Sequence, residues 1–271
     1  MKHPFFWKVL SPVVILVGCS STPEPPRFPV GEWIDLSYDF SSETPYWPTA
    51  DSFHLEEVAH GFSDRGYFYS SNNYSASEHG GTHIDAPIHF AENKWTVDEI
   101  PLEQLMGPAA VIDVRKAASG NRDYLVNIAD FEQWEEIHGE IPEGAILFLL
   151  TGHGKYWPDA KTYLGTADRG VAAVAKLHFP GLSPEAAQWL MDNRSIGAVG
   201  LDTPSIDYGQ SQDFMSHQVL LSSNVPAFEN VANLDLVPAT GAWVIALPMK
   251  IKGGSGGPVM IVAFIPENVD D

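Results

Sequence analysis

Residues 79–89 (HGGTHIDAPIH) place three of the ten histidines of the chain in one short segment. Two glycines, one proline and the β-branched Thr82 and Ile84 disfavour a helix there, so the sequence predicts extended backbone that bends at the glycines. Alternate residues of a strand lie on one side, which is expected to direct four polar side chains to one point: His79, His83, Asp85 and His89. Imidazole and carboxylate ligands without a thiol suit zinc, manganese or ferrous iron.

A site of this kind has a recognisable chemistry. Three protein ligands leave positions open for water, and a bound divalent ion can lower the pKa of that water to about 7. Hydroxide at neutral pH is what a hydrolase needs. The alternative for any single histidine is an ordinary surface or hydrogen-bonded residue, but four ligand side chains on one face favour a metal site.

Further polar candidates lie downstream. His217 and Glu229 form a pair of potential ligands, although each alone is compatible with a purely structural role. Asp202 follows one apolar run and His153 follows another, and polar residues at strand ends often line sites. A strand-ending turn is the equal alternative for Asp202, and a surface loop is the equal alternative for His153.

The segment 253–257 (GGSGG) satisfies the GxSxG pattern of a serine nucleophile. That pattern requires a strand before the serine and a helix after it, whereas Pro258 and the strand-like run 259–265 follow here. The same glycines lack the Gly-Lys-Ser/Thr ending of a phosphate-binding loop. We therefore interpret the segment as a flexible turn that borders the site.

Charge and cysteine content exclude several classes. With 15 Lys and Arg against 35 Asp and Glu, the net charge of -20 disfavours nucleic acid as a partner. The single cysteine, Cys19, excludes an intrachain disulfide framework and a cysteine-ligated zinc.

The first residues predict export. A basic start and a short apolar run are typical of a signal peptide over residues 1–18, and the run is too short to span a membrane. LVGC at 16–19 resembles a bacterial lipobox, which predicts lipidation of Cys19 and a tether over residues 19–27. The expected location is extracytoplasmic and lipid-anchored, at the periplasmic face or the outer membrane if the cell is Gram-negative.

The remaining residues, 28–271, are expected to form one α/β domain around a mixed sheet. Short apolar runs predict buried strands at 109–114, 145–151, 196–201, 242–247 and 259–265. Helical spacing of apolar residues predicts helices at 127–138 and 183–193. Ser183, followed by Pro184 and Glu185, is typical of a helix start.

Residues 79–90, the spacing of His217 and Glu229, and the segment 250–258 (KIKGGSGGP) resemble the cyclase family of metal-dependent hydrolases, which includes arylformamidases and isatin hydrolases. The resemblance extends from about residue 34 to residue 264. It implies a swivelling β/β/α fold, hydrolysis of a C–N bond in an aryl formamide or cyclic amide, one or two Zn²⁺ or Mn²⁺ ions, and a homo-oligomer.

The same resemblance implies roles for individual residues. His79, His83 and Asp85 would bind one ion, Asp85 would bridge to a second ion held by His217 and Glu229, and His89 would be the catalytic acid and base. An imidazole with a pKa near 6.5 suits that last role.

The sequence combines features of two substrate classes within the family. At 45–50 the chain reads PYWPTA, where formamidases usually carry PxWPGD, so the Gly and Asp are missing, and residues 69–79 look closer to isatin hydrolases. Aromatic residues that could stack on a small aromatic amide are Trp47, Phe53, Tyr69 and Tyr74. The alternative to an enzyme is a lipid-anchored metal- or ligand-binding protein without turnover.

Overall fold

Twelve strands and six α-helices form the part of the chain that the computed structural model describes, residues 30–267. The strands are β1 (Gly31–Asp35), β2 (His54–Phe62), β3 (Phe68–Ser75), β4 (His83–Asp85), β5 (Met106–Asp113), β6 (Leu125–Val126), β7 (Ala145–Leu150), β8 (Gly181–Leu182), β9 (Ile196–Leu201), β10 (Ala227–Glu229), β11 (Trp243–Pro248) and β12 (Gly256–Pro266). The helices are α1 (Arg115–Ala118), α2 (Ile128–His138), α3 (Ala160–Tyr163), α4 (Val171–Val174), α5 (Pro184–Asn193) and α6 (Met215–Ser222). The predicted signal peptide, Cys19 and the tether lie outside the described residues.

Eight strands form one mixed sheet in the order β1-β12-β11-β5-β7-β9-β10-β4. Strands β5, β7, β9 and β10 run parallel to one another, and the remaining pairings of the sheet are antiparallel. Because β12 is long enough to pair with β4 at its start and with β1 at its end, the sheet closes on itself. The result is a barrel-like sheet, and the predicted α/β domain around a mixed sheet is confirmed.

The central strands are buried on both faces, which explains their continuous apolar runs. Along β5, Ala109 and Val111 face the barrel interior, whereas Ala110 and Ile112 pack in a second core with the helices. Phe131 of α2 and Leu190 of α5 are fully buried in that second core. The barrel therefore has one core inside it and another between its outer face and the helices.

The five predicted strands and both predicted helices are confirmed, with ends that differ by three residues or fewer. The helix ends follow their local signals: Asn127 forms a capping box with Asp130, and the Ser183 hydroxyl accepts a hydrogen bond from Ala186 N.

The prediction of extended backbone over residues 79–89 is only partly right. Strand β4 covers three residues, and a 3-10 helix, Pro87–His89, follows it. Proline fixes its own φ near the helical value and lacks the amide that a strand would use, so the extended segment ends before Pro87.

Strands β2 and β3 form a separate two-stranded hairpin whose residues are mostly exposed on both faces. Within residues 30–267, no helix has the length and apolar character needed to cross a bilayer.

Candidate metal centre

The side chains of strand β4 alternate between the barrel core and the candidate metal centre. Ile84 is fully buried in the barrel core, whereas His83 and Asp85 lie on the opposite face and line a cavity of about 310 Å³. His79 precedes the strand and His89 follows it in the 3-10 turn, and both line the same cavity. The short strand, flanked by two bends, thus brings all four predicted side chains together.

The Asp85 carboxylate lies at the centre of the cluster. Its Oδ1 is 2.7 Å from His79 Nδ1 and 3.3 Å from His83 Nε2. Its Oδ2 is 3.0 Å from His217 Nε2. One carboxylate, 1% exposed, therefore contacts three imidazoles from two distant parts of the chain.

Strand β10 supplies the second carboxylate. Glu229 is in register with His83 across the β10–β4 pair, and its Oε2 lies 3.4 Å from His83 Nε2. Its Oε1 lies 3.2 Å from His217 Nε2 and accepts a hydrogen bond from Ile206 N at 2.7 Å. The sequence separates Glu229 from residues 79–89, and antiparallel pairing brings them into contact.

Helix α6 carries His217 in its first turn, where Asp207 orients the ring. Asp207 Oδ2 lies 2.6 Å from His217 Nδ1 and accepts a hydrogen bond from His217 N, while its Oδ1 accepts one from Ser216 N. The Asp207 carboxylate therefore accepts hydrogen bonds from the first backbone amides of the helix and also orients the ring of His217, so that Nε2 points towards Asp85. Asp207 was not predicted from the sequence, because nothing local links residue 207 to residue 217.

The donor set fits a divalent cation. Ligand atoms of His83, Asp85 and Glu229 lie within 4.8 Å of one another, and so do those of His79, Asp85 and His89. His83 Nε2 is buried and forms no hydrogen bond among the described residues, although two carboxylates are near it. None of the described residues that line this cavity is Lys or Arg, so only imidazoles and a bound cation could balance its carboxylates.

The two groupings share Asp85 but differ in detail from the assignment implied by resemblance. In the structure His83 groups with Glu229, and His89 lies within ligand distance of His79 and Asp85. The predicted ligands are therefore assembled, while the division between two ions stays a prediction.

The carboxylates of the cluster raise the pKa values of two of its histidines. Burial lowers the pKa of His83, but the close carboxylates of Asp85 and Glu229 outweigh burial and raise it to about 10. Burial also opposes the charged form of His217, yet Asp207, Asp85 and Glu229 raise its pKa well above the usual value. Carboxylates that hold protons on neighbouring imidazoles in this way also attract a metal cation.

His89 differs from the other histidines of the cluster. Its ring stacks on His79 with centroids 3.9 Å apart. Burial is the largest effect on its pKa and lowers it to about 4. The ring is consequently neutral at pH 7 and can accept a proton.

Ser255 is the second residue whose contact with the cluster was not predicted. Its Oγ lies 2.9 Å from His79 Nε2 and donates to Glu78 Oε2 at 2.7 Å. The turn prediction for 253–257 holds only for its first part, because Gly256 and Gly257 begin β12. A side chain at Gly256 would overlap the Ile84 carbonyl oxygen and lie 2.6 Å from His79 Cε1, so glycine is required there.

Aromatic side chains wall the cavity. Of the aromatic residues predicted to contact substrate, Trp47 lines the cavity, together with Phe90 and Phe214. Phe53 and Tyr74 stack on each other with centroids 6.1 Å apart but are not among the lining residues. Their role in substrate binding stays a prediction, as does that of Tyr69, which is exposed on the hairpin.

His153 and Asp202 lie elsewhere. Both line a second cavity, of about 610 Å³, that shares no lining residue with the cavity at the metal centre. Asp202 Oδ1 accepts hydrogen bonds from Thr151 N and Oγ1, and His153 Nε2 lies 2.7 Å from the Tyr163 carbonyl oxygen. The structure thus separates these two predicted substrate contacts from the metal ligands.

Two named relatives are similar over most of the chain. Isatin hydrolase of Roseibium aggregatum is 30% identical over 268 residues, which cover 96% of this chain and 95% of that protein. Kynurenine formamidase of Salinibacter ruber is 29% identical over 232 residues, which cover 84% of this chain and 95% of that protein.

Solved structures agree with the sequence comparison. Isatin hydrolase A from Labrenzia aggregata bound to benzyl benzoate superposes with a TM-score of 0.78 at 34% identity, covering 87% of this chain and 94% of the other. An isatin hydrolase bound to the product analogue thioisatinate gives a TM-score of 0.78 at 28% identity, covering 87% and 93%. Residues 34–208 match the family described as putative cyclase. With its metal-ligand cluster, its fold and these similarities, the chain belongs to the cyclase family.

Proposed function

We propose that this chain is a metal-dependent hydrolase that opens a cyclic amide fused to an aryl ring, with isatin as the first compound to test. The observation that carries the proposal is a buried cluster of imidazoles and carboxylates beside a neutral His89, in a cavity walled by aromatic rings. The isatin hydrolase relative, similar over 96% of the chain, supports this substrate class. An aryl formamide is the second candidate, favoured by the kynurenine formamidase relatives.

Zinc or manganese is the proposed ion, because the donors are imidazole nitrogens and carboxylate oxygens. His79, His83 and Asp85 would hold one ion, and Asp85, His217 and Glu229 would hold a second. When bound, the ion supplies a Lewis acid that polarises the amide carbonyl and lowers the pKa of a water molecule.

We assign the proton transfers of the reaction to His89. Neutral His89 accepts a proton from the attacking water at its unprotonated ring nitrogen and returns it to the leaving nitrogen of the amide. Because burial disfavours its charged form, His89 holds that proton weakly and releases it readily. Trp47 and Phe214, with ring centroids 6.2 Å apart, provide apolar surface for the aryl ring and exclude bulk water.

The test is hydrolysis of isatin and of N-formylkynurenine by the purified chain, after chelation and after separate addition of zinc and manganese. We expect metal to restore turnover, and metal analysis to give the number of ions bound. His89→Ala should keep the metal and lower kcat by about 10²- to 10⁴-fold.

The matched control is His138→Ala, because His138 is an exposed histidine at the end of α2. It should leave metal content and kcat unchanged. Bound metal without turnover of either compound would contradict the proposed substrate classes, and loss of metal in His89→Ala would instead assign His89 as a ligand.

We further propose that residues 1–18 are removed and that lipid on Cys19 holds the enzyme at an extracytoplasmic membrane face. The sequence from residue 16 to residue 19 supports this proposal. Fractionation should recover the protein with membranes and Cys19→Ala in the soluble fraction; equal recovery of both would contradict lipid anchoring.

We propose a homo-oligomer in which the β2–β3 hairpin contacts a second copy. A two-stranded hairpin alone is marginally stable in water, and this one exposes Val58, Phe62, Phe68 and Tyr69 by more than half. Light scattering should show at least a dimer that Phe62→Asp weakens. Val171→Asp, at an exposed apolar position of α4, should not weaken it, and a monomeric unmodified protein would refute the proposal.

A further inference from the structure

The second cavity lies where parallel α/β sheets commonly bind ligands. Strands β5, β7 and β9 are parallel neighbours, and lining residues follow the carboxyl end of each: Arg115, Thr151 and Asp202. Ligands of such sheets bind in the crevice beyond the carboxyl ends of the strands. The volume of about 610 Å³ is in the range of small-molecule sites.

Three cations line this cavity in a chain with far more acidic than basic residues: Arg115, Arg122 and Lys155. Lys155 Nζ lies 4.9 Å from the centroid of the Tyr156 ring, and Arg122 Cζ lies 5.6 Å from the same centroid. Arg115 pairs with Asp113 at 2.6 Å, whereas Lys155 takes part in none of the ion pairs found within residues 30–267. Lys155 is therefore available to an anion.

The positive charge of these side chains affects His153, which lines the same cavity. Burial is the main effect that lowers the pKa of His153, and the charges of Arg122 and Lys155 lower it further. Three cationic side chains line the cavity against the carboxylates of Asp202 and Asp235, and this excess of positive charge attracts a small anion.

Flat aromatic surfaces form one side of the cavity. The rings of Tyr38 and Trp157 stack with centroids 4.1 Å apart and an interplanar angle of 8°, and Tyr156 is adjacent in sequence to Trp157. A planar ring packs well against such surfaces.

Asp202 provides a different group within the same cavity. It is 4% exposed, and its Oδ1 accepts hydrogen bonds from Thr151 N at 3.0 Å and from Thr151 Oγ1 at 2.6 Å. Its Oδ2 accepts a long hydrogen bond, 3.4 Å, from Gly154 N. This oxygen can accept a hydrogen bond from an amino or hydroxyl group.

From these contacts we propose that the second cavity is a binding site for a small aromatic carboxylate that carries an amino or hydroxyl group. The carboxylate contacts Lys155, the ring packs on Tyr156 and Trp157, and the ring substituent donates to Asp202. This site is separate from the metal centre, and its assignment does not depend on the reaction proposed there.

The experiment is calorimetric titration of the full chain, loaded with metal, with 2-aminobenzoate. We expect saturable binding that Lys155→Gln weakens by about tenfold or more, because a charge-assisted contact is lost. Lys161→Gln, which removes an exposed lysine outside the cavity, should change the affinity by less than about twofold. Cyclohexanecarboxylate, which lacks both the planar ring and the donor, should bind much more weakly.

Repeating the titration after chelation separates this site from the metal centre, since binding at the second cavity needs no metal. Absence of saturable binding up to about 10 mM would overturn the proposal. It would equally be overturned by binding that disappears on chelation, or by equal losses in Lys155→Gln and Lys161→Gln.

Discussion

At the level of single residues, the candidate centre depends on hydrogen bonds that orient its ligands. Asp207 Oδ2 lies 2.6 Å from His217 Nδ1, which directs the opposite nitrogen at Asp85 and Glu229. Carboxylates in this position typically change metal affinity by about 10- to 100-fold when they are removed.

We therefore expect Asp207→Asn to weaken metal binding by about 10- to 100-fold, measured by competition with a chelator of known affinity. Asp123→Asn is the matched control, because Asp123 Oδ2 lies 2.7 Å from Nδ1 of His178 outside the metal centre. Equal metal affinity in Asp207→Asn and the unmodified protein would contradict an orienting role for Asp207.

A second prediction concerns His153, whose pKa is lowered to about 4, chiefly by burial. Between that value and about 6.5 the unfolded chain binds more protons than the folded one, so the free energy of unfolding falls as the pH falls. His153→Gln cannot titrate and can still donate to the Tyr163 carbonyl oxygen.

Urea unfolding of chelated protein should therefore show a smaller loss of stability in His153→Gln than in the unmodified chain between pH 7 and pH 5, by about 2 kcal/mol. His89, whose pKa is lowered in the same direction, titrates in both proteins and cancels in the comparison. His138→Gln, at an exposed position, should follow the unmodified chain. Identical slopes for His153→Gln and the unmodified chain would show that His153 does not titrate differently on folding.

At the level of elements, close approach of β12 to β4 sets the position of His79. Gly256 is in register with Asp85, and a methyl group at that position would overlap the Ile84 carbonyl oxygen and the His79 ring. The observed distance between the two strands therefore requires glycine at residue 256.

Gly256→Ala should lower the free energy of unfolding by about 1–3 kcal/mol and weaken metal binding, because the added methyl group displaces either the strand or the ring. Thermal unfolding and metal analysis of the same sample measure both effects. Gly120→Ala is the control, since its methyl group would meet no atom within 4 Å. Wild-type stability in Gly256→Ala would show that β12 can move away without loss.

At the level of the whole molecule, closure of the sheet assembles the centre. His83 and Asp85 come from β4, Glu229 comes from the neighbouring β10, and His217 comes from α6, which packs near the 3-10 turn after β4. Because these segments are brought together only in the folded chain, a metal ion binds the folded state and stabilises it.

Zinc or manganese at about 100 times its dissociation constant should add about 2.7 kcal/mol, which corresponds to a rise in Tm of about 5–10 °C for a chain of this size. Differential scanning calorimetry with and without metal measures the rise. Glu229→Ala should abolish it and the exposed Glu132→Ala should retain it. A rise that persists in Glu229→Ala would place the ion elsewhere.

Local patterns in the sequence determined the main strands and helices and part of the ligand cluster. Continuous apolar runs predicted β7 and β9 because both faces of a central parallel strand are buried, and Ser183 with Pro184 predicted the start of α5. The spacing of His79, His83 and Asp85 predicted a ligand cluster, and the structure assembles it. Such features depend on residues within a few positions of each other.

Only the tertiary structure revealed contacts between distant residues. Ser255 lies 176 positions after His79, and the Asp207 carboxylate reaches His217 across a loop, so no local spacing signals either contact. His153 and Asp202 were predicted near substrate because they follow strands, yet their strands end at a second cavity. The reason is physical: strand order and barrel closure decide which ends meet, and both are set by packing over the whole chain.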